Sequence, residues 1–218
     1  MKQASEGGDE TPDRDAETAI LEAAHEVFLR RGTEGARMRE IAEAAGVNQA
    51  LLHYYFGSKE GLARAVFGRA ARRLMPAVLG AVGAELPLEE KVERVVATEM
   101  DVLGRHPYLP GYILCELAHH PERAEQLVDA ALGEGRETAA RDALDVLGRQ
   151  LERGREAGEL REISPEQFMV NLLALAIFPF AARPLLRVVL GLGEEEYRDF
   201  LEVRRRELSG FFLRGLRP

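Results

Sequence analysis

The chain has 218 residues, a net charge of −8, 46% hydrophobic and 30% charged residues, and one cysteine, Cys115. This composition is typical of a soluble globular protein, and a lone cysteine excludes an intramolecular disulfide and agrees with a reducing, cytoplasmic location. The polar N-terminus lacks the apolar segment of a signal peptide. The longest apolar run, residues 172–182, is shorter than the roughly 20 residues that cross a bilayer, so no membrane association is expected.

The negative charge argues mildly against a nucleic-acid partner, but it is unevenly distributed. Residues 1–17 hold two basic and six acidic side chains, whereas residues 36–64 hold four basic and three acidic ones. Residues 1–14 are predicted to be a disordered arm because they are polar and acidic. Any surface that faces DNA must therefore be small and local.

Alanine, leucine, glutamate and arginine dominate the rest of the chain, and no alternating strand pattern stands out, so an all-α fold is predicted. The first helix ends at Gly32, and its buried face is marked by apolar residues three or four apart, namely Ile20, Ala24, Val27 and Phe28. Short helices follow over residues 38–45 and 49–55, each closed by a glycine. Ser58 then caps a long helix over residues 59–79.

Longer helices are predicted in the remaining part of the chain, over residues 88–105, 111–119, 122–157 and 194–214. A further helix opens at Ser164, where the sequence Ser-Pro-Glu-Gln has the pattern of a capping box. Pro179 and Pro184 are expected to bend or split this helix because proline removes a backbone donor.

Residues 38–45, a glycine turn and residues 49–55 have helix-turn-helix spacing, in which the second helix enters the major groove of DNA. The apolar side chains that can be buried together on one side are Ile41, Ala42, Ala45, Val47, Leu52 and Phe56. The outer side of the second helix is then left with Gln49, Ala50, His53 and Tyr54, and Asn48 is a suitable N-cap.

These outer residues have the chemistry that DNA contacts need. Gln49 can pair with adenine through two hydrogen bonds, and Ala50 or Leu51 can contact a thymine methyl group. Tyrosine and histidine side chains can donate to phosphates, which set the register of a protein on DNA. Arg39 and Lys59 stand near helix starts, where the helix dipole also favours a phosphate.

Residues 20–67, ILEAAHEVFLRRGTEGARMREIAEAAGVNQALLHYYFGSKEGLARAVF, resemble the DNA-binding domain of the TetR family of transcriptional regulators. The segments MREIAEAAGV, HYYF and SKEGL carry most of the resemblance. It implies a homodimer whose two heads read a near-palindromic operator in double-stranded DNA, acting as a repressor that a small-molecule effector releases. It further implies a DNA-binding domain over residues 15–64 and a helical ligand-binding and dimerisation domain over residues 65–218.

Carried over position by position, the resemblance assigns DNA contacts to Arg37, Met38, Arg39, Asn48, Gln49, Ala50, Leu51, His53, Tyr54, Tyr55 and Lys59. Three positions depart from the family pattern. Arg37 stands where the family usually has a Ser or Thr cap, so a charge replaces the capping hydroxyl. His53 replaces a more usual tyrosine, and Leu51 replaces a small or hydroxylated residue.

The helix opened by Ser164 and the last helix are the expected dimer face, because the apolar surface of the last helix is too wide for one neighbour. The residues assigned to this face are Phe168, Leu172, Leu175, Tyr197, Leu201, Leu208, Phe211 and Phe212. A small apolar effector is expected in a pocket lined by Met100, Leu103, Tyr108, Tyr112, Cys115, His119 and Phe168. For both sets the alternative that the residues form an ordinary monomer core stays open.

The sequence has no Gly-rich phosphate loop, no nucleophile with a placed histidine and no zinc-ligand spacing, so neither enzymatic activity nor a metal or other cofactor is expected. His119 and His120 are adjacent, and adjacent helical side chains point about 100° apart. The remaining alternative is an all-helical protein-interaction or lipid-binding module that does not bind DNA, which the acidic net charge favours slightly.

Overall fold

The computed structural model describes residues 11–133 and 136–218, and every regular element in this part of the chain is a helix, which confirms the predicted all-α class. A short 3-10 turn, Pro121–Arg123, precedes α7. The helices are α1 Thr11–Gly35, α2 Met38–Ala45, α3 Gln49–Phe56, α4 Lys59–Gly83, α5 Leu88–Arg105, α6 Leu109–His119, α7 Ala124–Leu132, α8 Arg136–Glu156, α9 Pro165–Ala181, α10 Arg183–Leu190 and α11 Glu194–Arg214.

The chain divides into two compact units, Met1–Phe67 and Gly68–Pro218. The division falls within α4, and the boundary predicted after residue 64 lies in the same helix. In the first unit α1 packs against α2, and α2 packs against α3. The apolar side chains buried there include Ile20, Ala24, Val27, Phe28, Ile41, Leu52, Leu62 and Val66.

The first helix differs from its prediction at one end and agrees with it at the other. It begins at Thr11, so residues 11–14 of the predicted arm are helical, while residues 1–10 lie outside the described part. Gly32 interrupts the regular helix with φ 67°, a backbone angle that favours glycine.

In the second unit α5 packs against α9 and α11, and α9 also contacts α6 and α8. The single long helix predicted over residues 122–157 is wrong. The chain instead forms the 3-10 turn, then α7, and begins α8 only at Arg136. Gly133 closes α7 with φ 70°, so this glycine acts as a helix stop rather than as part of a continuous helix.

Ser164 caps α9 as predicted, and its hydroxyl oxygen accepts a hydrogen bond of 3.3 Å from the Gln167 backbone N–H. Pro179 stays inside α9, and the break comes between Ala181 and α10. Because Pro179 has no N–H, the Leu175 carbonyl lacks its helical donor, and the Arg204 guanidinium donates to that carbonyl at 2.6 Å instead. The proline is therefore accommodated by a side chain from α11.

The axes of α9 and α10 are bent by 75° relative to each other. Within the described residues, no single helix is long and apolar enough to cross a membrane, and only this bent pair reaches that length and composition when taken together.

Candidate nucleic-acid interface

The turn between α2 and α3 is built by a glycine and an asparagine. Gly46 has φ 68° and ψ 27°, the left-handed conformation that closes a helix, and the Val47 N–H donates to the Ala42 carbonyl at 3.0 Å. The Asn48 side-chain oxygen then accepts a hydrogen bond of 2.9 Å from the Ala50 N–H, which confirms the predicted N-cap. These bonds fix where α3 starts and which way it points.

The helix α3 has one buried side and one exposed side. Leu52 is fully buried against the core, with Ile41 of α2. The residues on the exposed side are those that the periodicity predicted, Gln49, Ala50, His53 and Tyr54. Tyr54 is 78% exposed and lies edge-on to Tyr55 with ring centroids 5.3 Å apart. Several flanking residues are half-buried, including the predicted core residues Ala45, Val47 and Phe56 and the predicted contacts Met38, Leu51 and Tyr55.

His53 links the two ends of α3. Its Nδ1 lies 2.9 Å from the Gly57 carbonyl oxygen, and because a carbonyl only accepts, Nδ1 carries the proton. The Nε2 atom can then accept a hydrogen bond, and it lies 3.4 Å from the Gln49 side-chain nitrogen, which can only donate. His53 therefore orients the Gln49 amide, a role that the i,i+4 spacing of Gln49, His53 and Gly57 could have indicated.

Lys59 is held against the end of α1. Its Nζ atom donates to the Glu34 carbonyl at 3.0 Å and lies 4.0 Å from the Glu34 carboxylate. An ammonium group has three donors, so this contact leaves donors for a phosphate. No sequence pattern indicates the contact, because its acceptor is a backbone carbonyl 25 residues earlier in the chain.

The junction between α3 and α4 explains the Ser-Lys-Glu-Gly sequence. The Ser58 hydroxyl oxygen accepts a hydrogen bond of 3.1 Å from the Gly61 N–H and caps α4. A Cβ atom at residue 61 would lie 2.0 Å from the Phe56 carbonyl oxygen, so only glycine fits there without displacing the end of α3. Hydrogen bonds from its own backbone N–H and from Ser58 lower the pKa of the Glu60 carboxyl.

The start of α2 carries two exposed arginines. Arg37 occupies the N-cap position in an extended conformation and makes no side-chain capping bond. Arg39 donates to the Glu43 carboxylate at 2.8 Å, and this hydrogen bond raises the pKa of Arg39. Exposed pairs of this kind are weak, so a phosphate can compete for the Arg39 guanidinium.

The seven residues of the predicted effector pocket do not share one environment. Met100, Leu103 and Phe168 belong to the hydrophobic core of the second unit, and Tyr112 is also buried. Cys115 and His119 are exposed on α6, where the His119 Nδ1–H donates to the Cys115 carbonyl at 2.8 Å. Tyr108 is half-buried. Tyr112, Cys115 and His119 are three and four residues apart and so lie on one side of α6, but only Tyr112 is covered by the rest of the protein.

The predicted dimer residues are also divided. Those buried inside the protomer are Phe168, Leu172, Tyr197, Leu208 and Phe212. Leu175 and Leu201 are half-buried, and Phe211 is 60% exposed. A groove of about 450 Å³ runs between α9 and α11, and its lining includes Asn171, Ala174, Leu175, Phe178 and Phe211. The apolar surface that remains open on these helices is therefore narrower than the predicted one.

The second unit has a further cleft of about 880 Å³, lined by residues of α5, α8 and α11 and by the chain before α5. None of the predicted pocket residues lines it or the groove between α9 and α11. Among the residues that the structure describes, no group of three or more His, Cys, Asp or Glu side chains is arranged to hold a metal ion.

In the first unit a turn with a capping asparagine joins the short helices α2 and α3, α2 packs against α1, and α3 has a polar exposed face. This arrangement defines the first unit as a helix-turn-helix DNA-binding domain. The family model for bacterial regulatory proteins of the tetR family matches residues 20–66. The match covers the helices α2 and α3, most of the regular part of α1 and the start of α4.

Curated relatives agree with this assignment. The HTH-type transcriptional repressor NicS of Pseudomonas putida is 29% identical over 209 residues, which are 91% of each chain. The HTH-type transcriptional regulatory protein RaaS of Mycobacterium tuberculosis is 55% identical over 53 residues, 24% of each chain. An uncharacterized HTH-type transcriptional regulator of M. tuberculosis is 31% identical over 93 residues, and that match spans only 46% of the relative.

Solved structures share the fold. The TetR family regulator PfmR from Thermus thermophilus aligns with a TM-score of 0.61 at 22% identity, over 91% of this chain and 99% of that one. A tetR-family regulator from Mesorhizobium loti aligns with a TM-score of 0.58 at 19% identity, over 96% of this chain and all of the other. At these identities the likeness extends to the fold alone.

Proposed function

We propose that the protein is a sequence-specific DNA-binding transcriptional regulator that binds a near-palindromic operator as a homodimer. The observation that carries the proposal is the exposed face of α3, where Gln49, Ala50, His53 and Tyr54 stand open above the buried Leu52. A helix with this arrangement can enter the major groove with its N-terminal residues against base edges.

Within this interface Gln49 reads a base and the charged residues around it bind phosphates. The hydrogen bond that the Gln49 amide donates to His53 reduces the freedom of that amide, which lowers the entropy lost when the amide pairs with adenine. Arg39 and Lys59 are tethered by weak or partial contacts that leave donors for the DNA backbone. Specificity and affinity are thus divided between different side chains.

One reading head contacts only a short half-site, so two heads related by a two-fold axis are needed for a useful affinity. The groove between α9 and α11 supports the pairing, because Phe178 is 56% and Phe211 60% exposed on its walls. Two copies that pack these walls together would bury four aromatic rings in a four-helix face.

A repressor role with a small-molecule effector is part of the proposal. NicS, which matches over most of this chain, is named a transcriptional repressor. An effector releases the operator if it binds more tightly to a dimer whose heads are wrongly spaced for DNA. The helix α4, which starts in the first unit and ends in the second, is the element proposed to carry this change.

The test is selection of duplexes from a random pool by the purified protein, followed by titration of the winning duplex at several salt concentrations. We expect an enriched sequence with two-fold symmetry. We also expect its affinity to fall by about a thousandfold between 50 and 200 mM salt, as for a protein with about six phosphate contacts. A protein that binds no duplex at low salt would contradict the proposal and favour an interaction module.

A further inference from the structure

Glu99 is the one described acidic side chain that lies wholly inside the second unit. It is 0% exposed, and neither carboxylate oxygen has a hydrogen-bond partner among the residues that the structure describes. It stands at the centre of the buried face of α5, one helical turn from Val95 and from Leu103, which are also buried. The carboxyl group is therefore surrounded by apolar side chains on its own helix.

A carboxyl group without partners is costly inside a protein, and buried polar groups in folded proteins are nearly always satisfied. Lys91, on the same helix, shows how a buried charged group is usually satisfied by a hydrogen bond. It is 2% exposed, but its ammonium group donates to the Val82 carbonyl at 2.7 Å. Lys91 stands eight residues from Glu99, about 12 Å along the helix axis, so it does not neutralise Glu99.

Of the described side chains on α9 and α11, which pack against α5, none donates to the Glu99 carboxylate. On α11, Arg204 donates to the Leu175 carbonyl, and Arg205 pairs with the Asp101 carboxylate at 2.6 Å. On α9 the titratable side chain is Glu166, which is exposed. Burial alone raises the pKa of Glu99, to about 8, with no contribution from a charged neighbour. The site is thus an acceptor that the protein itself leaves unused.

We propose that Glu99 anchors the effector, and that the effector is a lipophilic amine: an apolar body with one basic nitrogen. This proposal rests on the regulatory function proposed above, because a ligand at Glu99 is an effector only if the protein regulates transcription. The basic nitrogen would donate to the Glu99 carboxylate, and the apolar body would lie among core residues such as Met100, Leu103 and Phe168. The amine supplies the partner that the fold lacks.

Binding of an amine at Glu99 is expected to release a proton to solvent. At pH 7 a group with a pKa of about 8 is mostly protonated, and a free alkylamine is also protonated. An ammonium–carboxylate pair needs Glu99 to lose its proton to solvent, so binding releases about one proton per ligand. A purely steric or hydrophobic site would release none.

The test uses three probes with one apolar body: 4-phenylbutylamine, the neutral 4-phenylbutanol and the anionic 4-phenylbutyrate. Binding to the full-length protein is measured by calorimetry at pH 7 in two buffers with different heats of ionisation. We expect the amine to bind at least about tenfold more tightly than the alcohol, with the butyrate weakest, and to release about one proton. Glu99→Gln, which keeps the shape, should lose both the preference and the proton release.

Glu93→Gln is the matched control, because Glu93 lies on the exposed side of the same helix. It should behave as the wild type. Equal binding of the three probes, or no binding of any, would overturn the proposal, and so would an amine preference that survives Glu99→Gln. Duplex binding, measured on the same preparations, separates the Glu99 proposal from the proposed function. If the wild-type protein binds the duplex but does not prefer the amine, only the Glu99 site is contradicted. If the wild-type protein does not bind DNA, the regulatory function is contradicted.

Discussion

At the scale of single residues, base reading and phosphate binding are expected to separate by mutation. Gln49→Ala should relax the choice of base at one position of each half-site, with a loss of about 1–3 kcal/mol on the selected duplex. Lys59→Ala should weaken binding to all duplexes alike and reduce the salt slope by about one per head. Both are measured by fluorescence anisotropy on the selected duplex and on single-base variants of it.

Lys59 also contacts the Glu34 carbonyl, so its loss could act through folding. Lys59→Arg, which keeps the charge, is the control and should retain most of the affinity. If Gln49→Ala and Lys59→Ala reduce binding equally on every duplex, with no change of preference, Gln49 does not read a base.

Glu99 should make the stability of the protein depend on pH. Its pKa in the folded state is about 8, above the ordinary value of 4.5, so between these values the folded protein holds a proton that the unfolded chain has released. The free energy of unfolding therefore falls as pH rises through this window, by up to about 1.4 kcal/mol per unit. Above pH 8 the folded protein bears the full free-energy cost of a buried, charged carboxylate at Glu99.

Glu99→Gln removes the titrating group, so it should be more stable than wild type at pH 8 and show no such slope. Urea unfolding of wild type, Glu99→Gln and the exposed control Glu93→Gln at pH 5, 6, 7 and 8 measures this. Parallel curves for wild type and Glu99→Gln across that range would mean that Glu99 is solvated or paired in solution.

Residue environments were predictable where one helix decides them. The i,i+4 period separates Leu52 from Gln49 and His53, and an asparagine before a helix is a good cap, as Asn48 proves to be. Contacts that depend on chain folding were not predictable. The Glu34 carbonyl that Lys59 reaches has no signature in the sequence. The burial of Glu99 could have been predicted from the sequence, because Glu99 falls in the apolar stripe of α5.

At the scale of helices, the packing of α9 on α11 rests on a proline and an arginine. Arg204 donates to the carbonyl that Pro179 leaves without a helical partner. Arg204→Ala should then cost about 1–3 kcal/mol, because the carbonyl becomes unsatisfied. In a Pro179→Ala background the alanine N–H can satisfy that carbonyl, so the same Arg204→Ala change should cost about 1 kcal/mol less. Chemical unfolding of the four proteins in this double-mutant cycle gives the coupling energy.

Arg205→Ala is the control for loss of a neighbouring charge, since Arg205 pairs with Asp101 and not with α9. It should show no coupling to Pro179→Ala. Additive effects of Arg204→Ala and Pro179→Ala would mean that the arginine stabilises the protein in another way.

Helix boundaries were predictable where a strong local signal ends the helix. The predicted bounds of α2, α5 and α11 agree with the structure, and each helix is delimited by a glycine, a proline or a histidine outside its apolar pattern. The long helix over residues 122–157 failed because helix propensity is high on both sides of Gly133, and one glycine is often tolerated within a helix. The split predicted from Pro179 and Pro184 is found at Ala182, and Pro184 stands in the first turn of α10. Pro179 itself stays inside α9, because a side chain from another helix compensates for its missing N–H.

At the scale of the whole molecule, the sequence predicts that the surface of α9 and α11 is apolar but not which part stays uncovered. Periodicity marks an apolar stripe without saying whether the same chain or a second copy buries it. Phe168, Tyr197 and Phe212 are taken up by the protomer core, and Phe178 and Phe211 remain exposed. The proposed dimer face therefore rests on these two aromatic residues.

Phe211→Glu is expected to convert the dimer into a monomer. A two-fold axis through this face brings the two substituted residues close together, so the change introduces like charges into an apolar contact. The side chain is 60% exposed in the protomer, so the fold of each copy should persist. Sedimentation or light scattering gives the mass, and the affinity for the selected duplex should fall by roughly a hundredfold because the two heads no longer bind together.

Leu114→Glu is the matched control, because Leu114 on α6 is 59% exposed and lies outside the groove. It should remain dimeric and bind the duplex as the wild type does, which separates loss of the face from the general effect of a surface charge. If the Phe211→Glu protein stays dimeric, the dimer interface lies elsewhere on the protein. The first alternative is then α10, where Val188 is 80% and Val189 70% exposed.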